Sequence, residues 1–215
     1  MKRHLGQLRK NYNIKTLTED KAPDSPLELF TQWFDEVSLA GSVDEVNAMT
    51  LSTVDVNGIV RARVVLLKDL LNENFVFYTN YNSDKSKAMF AKSNVSLSFF
   101  WPNLERQVLI SGVAQKTDAS TSDAYFASRP RGSQLGAHVS PQSEPIDSRE
   151  FLEKKLEILN HKFEGKSIPR PKYWGGIAVL PERIEFWQGR PNRLHDRIVY
   201  TKGENNSWIR QRLAP

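Results

Sequence analysis

Residues 48–68 read AMTLSTVDVNGIVRARVVLLK, and this stretch decides the fold class. Two strand-like runs flank Asn57-Gly58, a dipeptide suited to the positive φ angles of a tight hairpin turn. The stretch therefore predicts strand, turn, strand. Downstream, NFVFYTN (74–80), VSLSFFW (95–101) and ERQVLISGVAQK (105–116) predict further strands. The tail returns to strands in WGGIAVL (174–180), RIEFWQ (183–188), RLHDRIVYT (193–201) and SWIRQRLA (207–214).

Helices are fewer. Ser25-Pro26-Leu27-Glu28 is a capping-box pattern with Pro at the first helical position, and Leu27, Phe30, Phe34 and Val37 follow at helical spacing up to Gly41. Residues 83–92 predict a short helix, and residues 120–129 another, stopped by Pro130. Residues 147–163 carry Leu152, Leu156, Leu159 and Phe163 on one stripe, with Gly165 beyond. Residues 130–145, rich in Ser, Gly, Gln and Pro, predict a loop that lines a site or an interface. Short strands joined by hairpin-length turns predict a mainly β fold, an antiparallel barrel with flanking α-helices.

The 215 residues suit one large domain with a real core. The expected division is an N-terminal arm over residues 1–20 and a single domain over 21–215. The net charge of +5 admits nucleic acid but equally suits small phosphorylated ligands. The absence of Cys excludes disulfides and thiolate metal sites, and fits a reducing compartment, so the cytoplasm is the expected location. The basic N-terminal stretch lacks the apolar core of a signal peptide, and the longest aliphatic run, residues 64–67, is far short of the roughly 20 residues of a membrane span. Four scattered His residues argue against a metal site. No Gly-rich dinucleotide fingerprint, P-loop, HExxH or Gly-x-Ser-x-Gly motif is present.

What remains is a set of anion binders. EFWQGRPNRLHDR (185–197) places Arg193, His195 and Arg197 at alternating positions. On a strand they share one face, with Leu194 and Ile198 on the other. Such a face either meets an anionic, planar ligand beside Trp187 or defends a solvated edge by charge. Arg61, Arg63 and Lys68 surround an apolar strand, which reads as a core strand with solvated ends; alternatively Arg63 and Lys68, of opposite parity unless the strand bulges or ends between them, serve two different anions. The helix start at Ser83, with Lys85, is a phosphate cradle or an ordinary cap. Tyr125 and Arg129 at i, i+4, with Ser133 beyond, form a phosphate site or a Tyr packed on an Arg stem.

Together RVVLLK, FYTN, LERQV, YFASRPRGSQLGA, QS, WGG, IEFWQG and RLHDR, in this order, resemble the pyridoxine/pyridoxamine 5′-phosphate oxidase family over nearly the whole chain. The resemblance implies an FMN-binding split β-barrel that works as a homodimer, with both subunits contacting FMN. It implies oxidation of pyridoxine or pyridoxamine 5′-phosphate to pyridoxal 5′-phosphate by O2, with hydrogen peroxide, and ammonia from the amine, as by-products. It assigns Arg63, Val64, Val65, Leu66, Leu67, Lys68, Tyr78, Thr79, Lys85, Gln107, Gln142, Ser143, Trp187 and Arg197 to FMN. Lys68, Tyr125, Arg129 and Ser133 match the substrate-phosphate set. Arg193 and His195, with Leu194 between them, match the residues around the substrate ring and carry the expected catalytic roles. Arg9, Lys10, Asn11 and Tyr12 match an arm that closes over the site. One departure is Asp84, where family members often have Arg; its carboxylate is expected to oppose the FMN phosphate. The competing readings are another FMN split-barrel protein and a nucleic-acid-binding barrel. No metal, no nucleic acid and no membrane partner are expected, since the basic residues fit pocket positions and form no stripe.

Overall fold

The computed structural model describes residues 10–41 and 43–215, so Arg9 of the expected arm lies outside the described residues. In chain order the elements are α1 (Pro26–Ala40), β1 (Ala48–Val54), β2 (Val60–Leu66), β3 (Asp69–Leu71), β4 (Asn74–Asn80), α2 (Asp84–Ala91), β5 (Asn94–Trp101) and β6 (Arg106–Lys116). There follow α3 (Ala119–Ser128), α4 (Arg131–Val139), α5 (Arg149–Lys162), β7 (Trp174–Gln188), β8 (Asp196–Lys202) and β9 (Trp208–Leu213). The strands form one sheet in the order β2-β1-β5-β6-β7-β4-β3, with β8 pairing β7 and β9 pairing β8. The fold is thus mainly β with flanking helices, as expected. Among the described residues no helix is long and apolar enough to cross a membrane.

Three local expectations change. Residues 174–188 form one strand instead of two. Pro181 falls between the stretch paired to β4 and the stretch paired to β8, where its missing N–H breaks no rung of either ladder. Residues 131–139, expected as loop, form α4. Pro130 ends α3 and opens α4, Leu135 and Val139 are buried one turn apart, and the Gln134 amide donates to the carbonyls of Phe126, Ala127 and Arg129 at 3.0–3.2 Å. Strand β8 begins only at Asp196, so Arg193, His195 and Arg197 do not share a strand face.

The described residues group into two compact units. The first comprises those up to Thr50, with Ser96–Ser111 and Pro181–Pro215. Here α1 is capped by Ser25, whose hydroxyl accepts from the Glu28 N–H, and by left-handed Gly41. It buries Leu29, Phe30, Trp33 and Val37, a stripe shifted from the expected Leu27 and Phe34. Phe30 meets Phe99 at 5.1 Å and Trp33 meets Phe186 at 5.2 Å, both edge to face. The buried Arg106 guanidinium stacks 4.2 Å from the Trp33 ring and pairs with Glu36 at 2.9 Å.

The second unit comprises Leu51–Val95 and Gly112–Leu180. Its β4 pairs antiparallel with β7, Tyr78 opposite Gly176 and Thr79 opposite Gly175. A core cluster of Phe126, Leu135, Ile168 and Trp174 is covered by Leu159 and Phe163 near the end of α5. The Gly175-Gly176 pair lets two side chains lie on the strand. A Cβ at Gly175 would stand 2.8 Å from Tyr81 Cζ and 2.9 Å from Ser122 Oγ, and one at Gly176 would stand 2.5 Å from Thr117 Oγ1. Gly175→Ala is therefore expected to destabilise the protein by about 1–3 kcal/mol through overpacking. Gly132→Ala in α4, where a Cβ meets nothing within 4 Å, is expected to be neutral or stabilising. Denaturant midpoints of the two variants check this; an unchanged midpoint for Gly175→Ala would refute it.

Candidate functional site

Each unit carries a pocket. In the second unit a cavity of about 270 Å³ is lined by Val64, Val65 and Leu66 of β2, Tyr78 and Thr79 of β4, Lys85 of α2 and Tyr125 of α3, with Lys68, Arg129, Gln142 and Trp174. Strand β2 ends at Leu66, so the parity relation between Arg63 and Lys68 lapses before Lys68. Tyr78 and Tyr125 stack at 3.7 Å and 11°, with Trp174 nearly parallel to both. Burial pushes the Tyr78 hydroxyl up to about 12, keeping it a neutral hydrogen-bonding group.

The cations here form no ion pairs, although Asp84 lies near enough to favour the charged forms of Arg63 and Lys85. No carboxylate among the described residues lies within ion-pairing distance of Arg63, Lys68, Lys85 or Arg129. Lys85 Nζ donates to Thr79 Oγ1 at 3.1 Å, Ser83 Oγ at 3.2 Å and Gln142 Oε1 at 3.2 Å. Burial, and then Arg63, lower its pKa to about 8. Arg63 donates to Thr53 Oγ1 at 2.8 Å and to the Leu51 carbonyl at 3.3 Å. The Arg129 guanidinium lies 4.5 Å from the Trp174 ring, and its buried Nη1 has no hydrogen-bond partner. Arg129 also borders a second cavity that contains Ser133. A half-buried guanidinium with an unused donor has the chemistry to take an anion.

Asp84 opens α2, but it is not an unopposed charge. Its carboxylate pairs with Arg61 at 3.4 Å, and its N–H donates to Ser143 Oγ at 3.2 Å. Ser143 has a left-handed φ of 75°.

In the first unit a cavity of about 440 Å³ is lined by Lys10, Asn11, Tyr12, Trp187, Arg190, Asn192, Arg193 and His195. The turn that shapes it holds Asn192 and Arg193 at φ 57° and 63°, so two consecutive non-glycine residues occupy the left-handed region. This turn replaces the expected strand and leaves Leu194 68% exposed instead of in the core, whereas Ile198 is buried. The Trp187 and His195 rings lie 4.7 Å apart, and Tyr12 meets both edge-on at 5.7 Å. His195 Nδ1 accepts the Arg190 N–H at 3.1 Å, so the neutral imidazole carries its proton on Nε2. Burial, then Arg193, lower its pKa, and Asp196 opposes them.

Other expected residues are placed elsewhere. Leu67 is buried. Gln107 donates to Ser98 Oγ at 3.3 Å in the first unit. Arg197 donates to Glu185 at 2.8 Å and to the Ala214 carbonyl at 2.8 Å, so its guanidinium is already engaged. Sequence reading missed Arg190, Asn192 and Trp174 as lining residues; the first two stand in the quoted GRPNR run, and Trp174 in the quoted WGG.

Residues 38–162 match the family model described as pyridoxamine 5′-phosphate oxidase, and residues 174–215 match the pyridoxine 5′-phosphate oxidase C-terminal dimerisation region. The chain is 56% identical over 210 residues to the pyridoxine/pyridoxamine 5′-phosphate oxidase of Flavobacterium johnsoniae, covering 98% of each. It is 52% identical to that of Rubrobacter xylanophilus, covering all of this chain and 98% of the relative. Among solved structures it resembles PhzG from Burkholderia lata 383, in complex with tetrahydrophenazine-1-carboxylic acid, with a TM-score of 0.87 at 26% identity over 94% of this chain and 99% of that one. A pyridoxamine 5′-phosphate oxidase-related, FMN-binding protein from Nostoc punctiforme shares the fold, with a TM-score of 0.71 at 15% identity over 90% of this chain and 100% of that one. Identity above one half, carried end to end and through both matched regions, makes this chain a member of the pyridoxine/pyridoxamine 5′-phosphate oxidase family.

Proposed function

We propose that the protein is an FMN-dependent oxidase that converts pyridoxine 5′-phosphate and pyridoxamine 5′-phosphate to pyridoxal 5′-phosphate. O2 is the electron acceptor, hydrogen peroxide the by-product, and ammonia a further product of the amine. The observation that carries this reading is the buried, unpartnered Nη1 of Arg129 beside Tyr125, in a cavity that Lys68 also lines. It suits a substrate phosphate. The donor set of Lys85, Thr79, Gln142 and Ser143 suits the phosphate of FMN, with Arg63 nearby as a second cation. Bound FMN supplies the hydride acceptor for the substrate carbon.

The chain's own residues orient and neutralise. Arg129 and Lys68 take the substrate phosphate, and Tyr125 and Ser133 add hydroxyl donors. Arg193 and His195 face the substrate ring. With Nδ1 engaged by the Arg190 N–H and its proton on Nε2, His195 donates a hydrogen bond to the substrate instead of accepting a proton. Of the expected arm, Lys10, Asn11 and Tyr12 line this side. The match of residues 174–215 to a dimerisation region supports a homodimer.

The first test is cofactor content: acid release from the purified protein should give FMN, and a preparation that stays flavin-free in excess FMN would end this reading. Arg129→Ala should raise KM for pyridoxine 5′-phosphate about 10- to 100-fold, the loss of one charge-assisted contact of about 1.5–3 kcal/mol, with kcat little changed. An equal rise for unphosphorylated pyridoxine would contradict the phosphate assignment.

His195→Ala should lower kcat/KM roughly 10- to 100-fold while FMN affinity holds. Because the group donates from a neutral ring, the variant should keep the alkaline side of the pH–rate profile. Loss of a pH limb with the imidazole would assign it proton transfer instead.

Lys85 predicts a pH dependence of cofactor binding. Its pKa is about 8 in the ligand-free protein, and a phosphate dianion opposite would raise it. FMN affinity should therefore be full below pH 8 and fall as pH rises above it, by up to about tenfold per unit. Lys85→Arg, which stays charged, should flatten the fall. Flavin fluorescence titrations at pH 7 and pH 9 decide, and the same pH dependence in both proteins would remove Lys85 from the phosphate site.

A further inference from the structure

Beside the first-unit pocket, one buried ionisable group holds the segments that carry its lining residues. Glu105 occupies the turn between β5 and β6, with its side chain 1% exposed and its backbone at φ 56°. Its Oε2 accepts the N–H groups of Asn13 at 2.9 Å and Ile14 at 3.2 Å. Its Oε1 has no hydrogen bond and faces the ammonium of Lys10 at 3.3 Å. Its carbonyl accepts the Gly189 N–H at 2.7 Å and the Gln188 side-chain amide at 3.2 Å. One residue thus grips the arm through its carboxylate and the start of the 189–195 turn through its backbone.

Gly189 completes the arrangement. A Cβ there would stand 2.8 Å from Tyr12 Cγ and 3.0 Å from Glu105 Cβ, so the glycine is what lets the arm lie down. A buried carboxylate is costly unless it is paired and hydrogen-bonded. Lifting the arm would strip Glu105 of both N–H donors and its counter-charge together. A non-glycine residue held in the left-handed region at such a point is the kind of strain that surrounding contacts must maintain.

We propose that Glu105 is a positioning residue: it latches residues 10–14 so that Tyr12 stands against Trp187 and His195 and Lys10 closes one wall of the first-unit pocket. It does not line that pocket, and it acts through the arm. The effect on turnover rests on the reading of this pocket as the substrate-ring side; the latch itself does not.

The test uses the FMN-loaded protein with Glu105→Gln, Glu105→Ala, Lys10→Ala and the Lys10→Ala/Glu105→Gln pair. Chymotrypsin cleavage after Tyr12, read by mass spectrometry, reports the latch without substrate. Steady-state kinetics with pyridoxine 5′-phosphate report its use. Cleavage should be about tenfold faster in Glu105→Gln and Lys10→Ala, and faster still in Glu105→Ala. The double variant should be no worse than either single, because both remove one ion pair. KM should rise about tenfold while kcat changes less and FMN affinity not at all. Lys10 is exposed, so its variant keeps the test informative if Glu105→Ala fails to fold. Wild-type cleavage rates in Lys10→Ala and Glu105→Gln would overturn the latch. Faster cleavage with unchanged KM and kcat would leave the latch standing and count against the substrate reading of the pocket.

Discussion

Half-burying a cation without a counter-charge is unfavourable, and the second unit does it repeatedly. Arg63, Lys85 and Arg129 are each shifted downward in pKa with burial as the first cause. Neutral donors and acceptors hold them in place: Thr53 and a carbonyl for Arg63, two hydroxyls and an amide oxygen for Lys85, an indole face for Arg129. Such partners fix geometry without quenching charge, so the attraction remains available to an anion. The surrounding architecture reads as what that constraint requires. The Tyr78, Tyr125 and Trp174 rings form a rigid wall, and the two glycines of β7 let Tyr81 and Thr117 approach close to the strand.

The first unit solves a different problem. Its pocket is shaped by an irregular turn and an irregular arm, segments with few ladder hydrogen bonds of their own. Both are laced by side chains instead. Arg212 bonds Glu19, Asp196 and the Leu17 carbonyl at 2.6–2.9 Å, and Asp196 accepts the Leu17 N–H at 3.0 Å. Arg212 and Glu19 hold each other charged, so this side of the arm is fastened over the whole neutral range.

Much of the scaffold was legible because its signals are local. The capping box at Ser25, the Asn57-Gly58 turn and the alternation in 95–101 and 105–116 each state an element in a few residues. The site was legible as a list of cations and rings, since residue type announces what can hold phosphate. Its geometry was not. Alternation in 193–197 reads as a strand only if φ is negative throughout; a turn over Gly189 to Asn192 is legible, and Asn tolerates a positive φ, but nothing in Arg193 signals a second left-handed residue. Helix α4 hides among Gly, Ser and Pro, because its stability comes from burying Leu135 and Val139 and not from propensity. The pairing of Asp84 with Arg61, and the reach of Glu105 to residues 10–14, join positions too far apart in the chain for any spacing rule to connect.

The low pKa of Lys85 has a consequence in covalent reactivity. Burial makes this amine easier to neutralise than an ordinary lysine, and the neutral amine is the form that attacks carbonyls. A phosphate bound opposite would favour the ammonium and so quiet such attack. Amine-directed reagents would then label this position according to whether an anion fills the pocket.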